Sequence, residues 1–190
     1  MIKNLPLILF AIILSSCGEE SLPKPKAFLR LDYPYPEYKR IDEAIPFSFD
    51  KNALANPISK IKTENESYSV DIEYPSLKGT IYLSYKKVTP NNFIALLKDA
   101  QNLTQKHTQK ADEIESTVFD NPLKNVYGMF YKVGGNAASQ SQFYATDSVN
   151  HFLSGSLYFY TKPNYDSIYP AAIYLRNDIK RIMESLEWKN

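Results

Sequence analysis

Few residues in this chain carry the chemistry of catalysis or metal binding. His107 and His151 are the only histidines, and neither has a histidine or cysteine at ligand spacing. No cofactor and no metal site is therefore expected. His107 falls in the polar end of a helical pattern and reads as solvated. His151 opens a strand pattern and reads as holding a local hydrogen bond. Ser154-Gly155-Ser156 is the nearest approach to a nucleophile elbow. It lacks the first glycine of that motif and lies inside a strand pattern, where an elbow needs a strand-to-helix turn. No phosphate-cradling or dinucleotide loop is present. The single thiol is Cys17, so neither an intramolecular disulfide nor a buried thiol chemistry is available. The expectation is a chain that is not an enzyme.

The surroundings of Cys17 give it a different chemistry. Lys3 is a basic start, and residues 5–14 are an apolar run too short to span a bilayer. Leu14-Ser15-Ser16-Cys17 then resembles the lipobox of bacterial lipoproteins. That resemblance implies cleavage after Ser16 and acylation of Cys17, palmitate included, so that the mature protein hangs from a membrane without crossing it. The expected organisation is a signal peptide over 1–16, an acylated cysteine and tether over 17–27, and one globular domain over 28–190. Cleavage after Ser16 leaves 21 basic and 21 acidic residues, so charge gives no reason to expect nucleic acid as a partner.

The elements that would position any site come from periodicity. Residues 28–31 and 45–50 read as short strands, 51–57 as turn, and 58–61 as a further short strand. Tyr68–Tyr74 alternates, placing Tyr68, Val70, Ile72 and Tyr74 on one face, and Thr80–Tyr85 pairs with it as a hairpin. Thr89 and Pro90 read as N-cap and first residue of a helix whose apolar face holds Phe93, Ile94, Leu96, Leu97, Ala100 and Leu103. Strands follow near 111–119, 126–133, 142–147 and 151–160, spaced as an antiparallel meander. Ser167 reads as the cap of a last helix, with Pro170 at its third position. Ile168, Ala172, Leu175, Ile179, Ile182, Met183 and Leu186 form its stripe, and Trp188 closes the edge of the domain. The fold class is α+β, an antiparallel sheet of about six or seven strands with two main helices in two or three layers. There is no internal repeat and no domain boundary after residue 27.

Two stretches invite contact. Tyr33, Tyr35 and Tyr38 alternate with prolines that enforce an extended path. They read either as an aromatic docking strip or as an arm laid over the domain. Gly134, Gly135, Asn136, Ala137, Ala138 and Ser139 read either as a wide hairpin connection or as a contact loop for a protein or ligand.

Several segments together resemble the gliding motility lipoprotein GldD family of Bacteroidetes. They are 23–34, Lys106-His107-Thr108, 126–139 with its Val-Gly-Gly-Asn-Ala-Ala-Ser, 143–148, 151–159 and 162–167. The resemblance implies a role in gliding motility and the linked type IX secretion apparatus, with other envelope proteins of that machinery as partners. It implies no catalytic residue set. The expected place is the cell envelope, on the outer membrane by preference, with the inner membrane and the choice of face left open. In that setting Glu19 and Glu20 read as tether or as an acidic sorting signal. Asp147-Ser148-Val149 and Asp166-Ser167-Ile168 resemble acceptors for O-glycans at Ser148 and Ser167, against the plain reading of turn and cap residues. A glycan- or peptidoglycan-binding module using exposed aromatics is the alternative function.

Overall fold

The computed structural model describes residues 31–59, 61–106, 110–161 and 164–189. Cys17, the signal and tether segments, most of the 28–31 stretch and His107 lie outside these residues. The strands are β1 (Tyr38–Ile41), β2 (Phe47–Asn52), β3 (Ile61–Glu64), β4 (Ser67–Tyr74) and β5 (Gly79–Lys87). After helix α1 (Phe93–Gln105) come β6 (Ala111–Asn121), β7 (Val126–Gly135), β8 (Ser139–Thr146) and β9 (His151–Phe159). Helix α2 (Tyr165–Ser185) and β10 (Glu187–Trp188) end the chain. The expected α+β class holds. Seven strands make one antiparallel sheet in the order β3-β4-β5-β9-β8-β7-β6, and β6 to β9 are the expected meander. A separate small sheet, β1-β2-β10, was not foreseen.

The alternation of β4 and β5 is what seats the core. Val70 pairs with Leu83 and Ile72 with Ile81, and all four are buried. Each such side chain contributes about 1.5–3 kcal/mol on burial. Phe47 and Phe49 of β2 cover this half of the sheet, while Leu175, Ile179, Ile182 and Met183 of α2 complete the same cluster. On the opposite sheet face a smaller cluster joins Leu96, Phe93, Leu97 and Ala100 of α1 to Phe152 and Tyr144. The layers are therefore helix, sheet, and a third layer of α2 beside the small sheet. No helix among the described residues is long and apolar enough to cross a membrane.

Both helix starts differ from the expectation. Thr89 and Pro90 do not open α1. Asn92 takes the N-cap position without a side-chain capping bond, because its side chain is spent on the approach: Oδ1 accepts from the Thr89 amide (2.8 Å) and Nδ2 donates to the Lys87 carbonyl (3.0 Å). These bonds hold 89–92 as a turn. Ile94, expected on the apolar face, is 62 % exposed, since one residue along a helix rotates it by about 100° from Phe93. Helix α2 starts at Tyr165, with Asn164 and not Ser167 in the N-cap position, where the Asn164 side chain makes no capping bond. The free Tyr165 amide is taken up by Asn136 Oδ1 at 2.9 Å, which lets the helix begin a turn early. Pro170 consequently lies inside the helix, where it cannot donate to the carbonyl four residues back. Residues 51 and 52, expected as turn, extend β2. The strand expected over 58–61 begins only at Ile61, and β6 runs to Asn121.

Candidate functional site

His151 opens β9 and has the local hydrogen bond expected of it. Its Nδ1 lies 2.8 Å from the Tyr85 hydroxyl, and its ring stacks on Trp188 at 5.0 Å and 8°. Burial lowers the imidazole pKa, with Asp147 acting in the opposite sense. Burial also pushes the Tyr85 hydroxyl up to about 12. The Asp147 carboxylate does not orient the ring. Its Oδ1 accepts the amides of Val149 (3.0 Å), Asn150 (2.8 Å) and His151 (2.8 Å) and so builds the β8–β9 turn. Ser154 sits three residues along the strand, on the other sheet face, with its hydroxyl directed to the Ser84 carbonyl at 3.4 Å. His151 and Ser154 therefore cannot meet. Among the described residues no group of three His, Cys, Asp or Glu could hold a metal ion.

The stretch expected as a wide loop is shorter and more buried than expected. Gly134 and Gly135 finish β7 and Ser139 begins β8, so only 136–138 connect them. Gly135 has φ of 85°, and a Cβ there would lie 2.6 Å from the Asp112 nitrogen. The connection is pinned from beneath by Gln140, a buried residue displaced by a β-bulge between Ser139 and Ser141. Its Nε2 donates to the carbonyls of Ala137 (2.8 Å) and Gly135 (3.3 Å). Ala137 and Ser139 are buried, Asn136 is tied to α2, and Ala138 is the other exposed residue. The wide loop expected here is a three-residue connection that exposes Asn136 and Ala138.

The tyrosine strip divides in the same way. Tyr33 packs on Tyr174 at 5.1 Å between ring centroids. Tyr38 enters a buried polar cluster around Asp178, which local sequence pattern does not single out. Asp178 is 2 % exposed and accepts from the Tyr38 hydroxyl (2.7 Å) and from Asn52 Nδ2 (2.9 Å). Burial raises the Asp178 pKa, while the Tyr38 and Asn52 hydrogen bonds oppose that rise. The Tyr74 hydroxyl is buried in the same cluster. It makes no hydrogen bond of ordinary geometry there, yet it lies close enough to favour the carboxylate electrostatically. Burial and the neighbouring carboxylate raise the Tyr38 pKa. Tyr35 is 96 % exposed while Tyr33 and Tyr38 are half-buried against the domain. The available signal was a lone aspartate next to Ile179 in an otherwise apolar stripe. Ser148 (φ 66°) and Ser167 are both exposed, on the β8–β9 turn and the first turn of α2.

An open apolar groove was not foreseen. Helix α1 covers its sheet face incompletely and leaves a groove of about 330 Å³ beside β6, β7 and β8, lined by Phe93, Leu97, Val118, Tyr127, Met129 and Tyr144. Val118 is 72 % exposed. Ile94 and Val149, next in the chain to lining residues Phe93 and Ser148, are also exposed. An open groove with apolar lining and an exposed apolar residue in its wall is a common mark of a contact site. The profile of a family described as gliding motility lipoprotein GldD matches residues 18–188. No curated protein and no solved structure matches the chain.

Proposed function

The chain belongs to the gliding motility lipoprotein GldD family, and from that premise we propose that it is a non-enzymatic adaptor of the gliding and type IX secretion apparatus. Acylated Cys17 holds the domain on a membrane of the envelope, the outer membrane by preference, through the 17–27 tether. Confinement to a surface raises the local concentration of the domain around membrane-bound partners. The observation that carries the reading is the open apolar groove beside α1, with the exposed Val118 in its wall and the exposed Ile94 and Val149 one residue along the chain from its lining. Apolar surface of this kind is costly to leave in water and is covered when a protein binds.

The test is Ile94→Asp with Val149→Asp in the native host. Both side chains are exposed, so the protein should accumulate and fractionate with membrane as the parent does. Colony spreading and secretion should fall. Normal spreading and secretion at normal protein level would overturn the adaptor reading.

A second reading is favoured by the groove's own lining. Tyr127, Tyr144 and Phe93 offer rings to the face of a sugar, and about 330 Å³ lies in the range of small-ligand sites. Titration with soluble peptidoglycan fragments tests it. Saturable binding that Tyr127→Ala abolishes would support a glycan-binding module, and absence of binding would exclude it.

A further inference from the structure

We propose that the outer edge of β6 accepts a basic, extended segment of a partner protein as an eighth strand of the sheet. The proposal rests on the adaptor reading and names the chemistry of its partner. β6 is the last strand of the large sheet, and among the described residues nothing pairs with its outer side. It is eleven residues long, which is about 36 Å of edge at 3.3 Å per residue. The opposite edge, β3, has four residues. A short edge is the ordinary protection against unwanted pairing, and β6 does without it. From Glu115 to Val118 four consecutive residues are exposed, so neither face of the strand is covered there.

Charge selects the occupant. β6 reads Ala-Asp-Glu-Ile-Glu-Ser-Thr-Val-Phe-Asp-Asn, with four carboxylates and no basic residue. Of these only Glu115 has an ion pair among the described residues, to Lys132 at 2.8 Å on the inner neighbour β7. Pairing β6 with the β6 of a second copy would bring eight carboxylates together, and like charges across strands destabilise. A lysine- or arginine-rich strand meets the opposite condition. Shape adds a second requirement. Val118 and Asp120 both line the groove beside α1. Alternate side chains of an added strand would stand on that face, so the partner should carry an apolar residue at one of those positions. Main-chain bonds would supply affinity, with charge and that one side chain supplying choice.

The test uses the full chain in detergent micelles and a labelled peptide, Lys-Val-Lys-Leu-Lys-Val-Lys. Saturable binding is expected, with slowed amide exchange along 112–120. Glu113→Lys with Asp120→Lys should weaken binding at least tenfold, and both positions are exposed enough for the fold to survive. A peptide of the same charge whose leucine is replaced by proline should bind at least tenfold more weakly. Equal binding of the proline peptide would mean attraction by charge alone and would overturn strand addition. Protection confined to other strands would overturn it too, as would equal binding of a Glu-Val-Glu-Leu-Glu-Val-Glu peptide. A dimer that the β6 substitutions dissolve would replace the basic partner with a second copy. None of these readouts uses motility, so they fail or succeed separately from the Ile94 and Val149 test of the adaptor role.

Discussion

Replacing Gly155 by alanine should destabilise the domain by about 3 kcal/mol, close to the upper end of ordinary overpacking costs. Gly155 lies mid-strand in β9, opposite Leu83 on one side and Phe143 on the other. The Phe143 ring is folded flat over the glycine. An added Cβ would stand 2.1 Å from Phe143 Cε1, 2.7 Å from Cδ1 and 2.8 Å from Cζ. Carbon contacts settle near about 3.5–4.0 Å, so the ring would have to retreat by more than about 1 Å. It has nowhere to go, because Phe143 is 2 % exposed and belongs to the main core cluster. In a chain of this size a loss of about 3 kcal/mol lowers Tm by roughly 6–12 °C. Thermal and urea unfolding, followed by far-UV circular dichroism, measure it. Phe143→Leu provides the control, since a smaller side chain vacates the clash. The double variant should be more stable than the sum of the two single losses predicts, by about 1–3 kcal/mol. A Gly155→Ala variant within about 0.5 kcal/mol of the parent would refute the packing account of this glycine. It would also reopen the question of why a glycine stands between Ser154 and Ser156.

Tyr38→Phe should cost about 1–3 kcal/mol, because it removes a hydroxyl bonded to the buried Asp178 carboxylate, whereas Tyr35→Ala should be silent in the same unfolding measurement. Stability should fall on acidification through His151. Burial holds its folded pKa below the ordinary value of 6.5, so the unfolded chain binds the proton more tightly; the stabilisation is present above that value and is lost as pH drops through the lower folded one. His151→Gln should flatten this part of the Tm–pH profile, and an unchanged profile would remove His151 as its source. Cys17→Ala should release the protein from the membrane fraction of native cells, and full retention there with normal spreading would refute acylation as the anchor.

The parts of the fold legible in the sequence are those where one strand face is apolar. Tyr68–Tyr74 and Thr80–Tyr85 could be read because alternate residues enter one core, and the α2 stripe because its apolar residues meet both sheets. The errors fall where a side chain substitutes for backbone. Asn92 makes a turn by bonding two neighbours, and Asn136 caps a helix from 29 residues away. Local spacing carries no trace of either. β1 and β10 were missed because a strand of four residues and one of two are defined by their partner β2 alone. For the candidate site the balance is poorer. Of the named loop and tyrosines only Tyr35, Asn136 and Ala138 are exposed, since glycine and tyrosine serve close packing as readily as contact. The groove beside α1 could not be read in advance. It exists because α1 covers only part of its sheet face, a matter of placement between distant segments.

The small sheet has a consequence for the order of events in making the protein. β2, near the front of the chain, is completed on one side by β10, whose Trp188 is almost the last residue, and Asn52 of β2 bonds to Asp178 of α2. The first-synthesised part of the domain thus has no finished structure until the last part is delivered. Contacts of such sequence separation close slowly. For a lipoprotein of the envelope this delay is useful. A nascent chain that cannot complete its core would remain threadable during an export step. β2 is completed only by the C-terminal end, so truncation of the final residues should penalise folding out of proportion to their number.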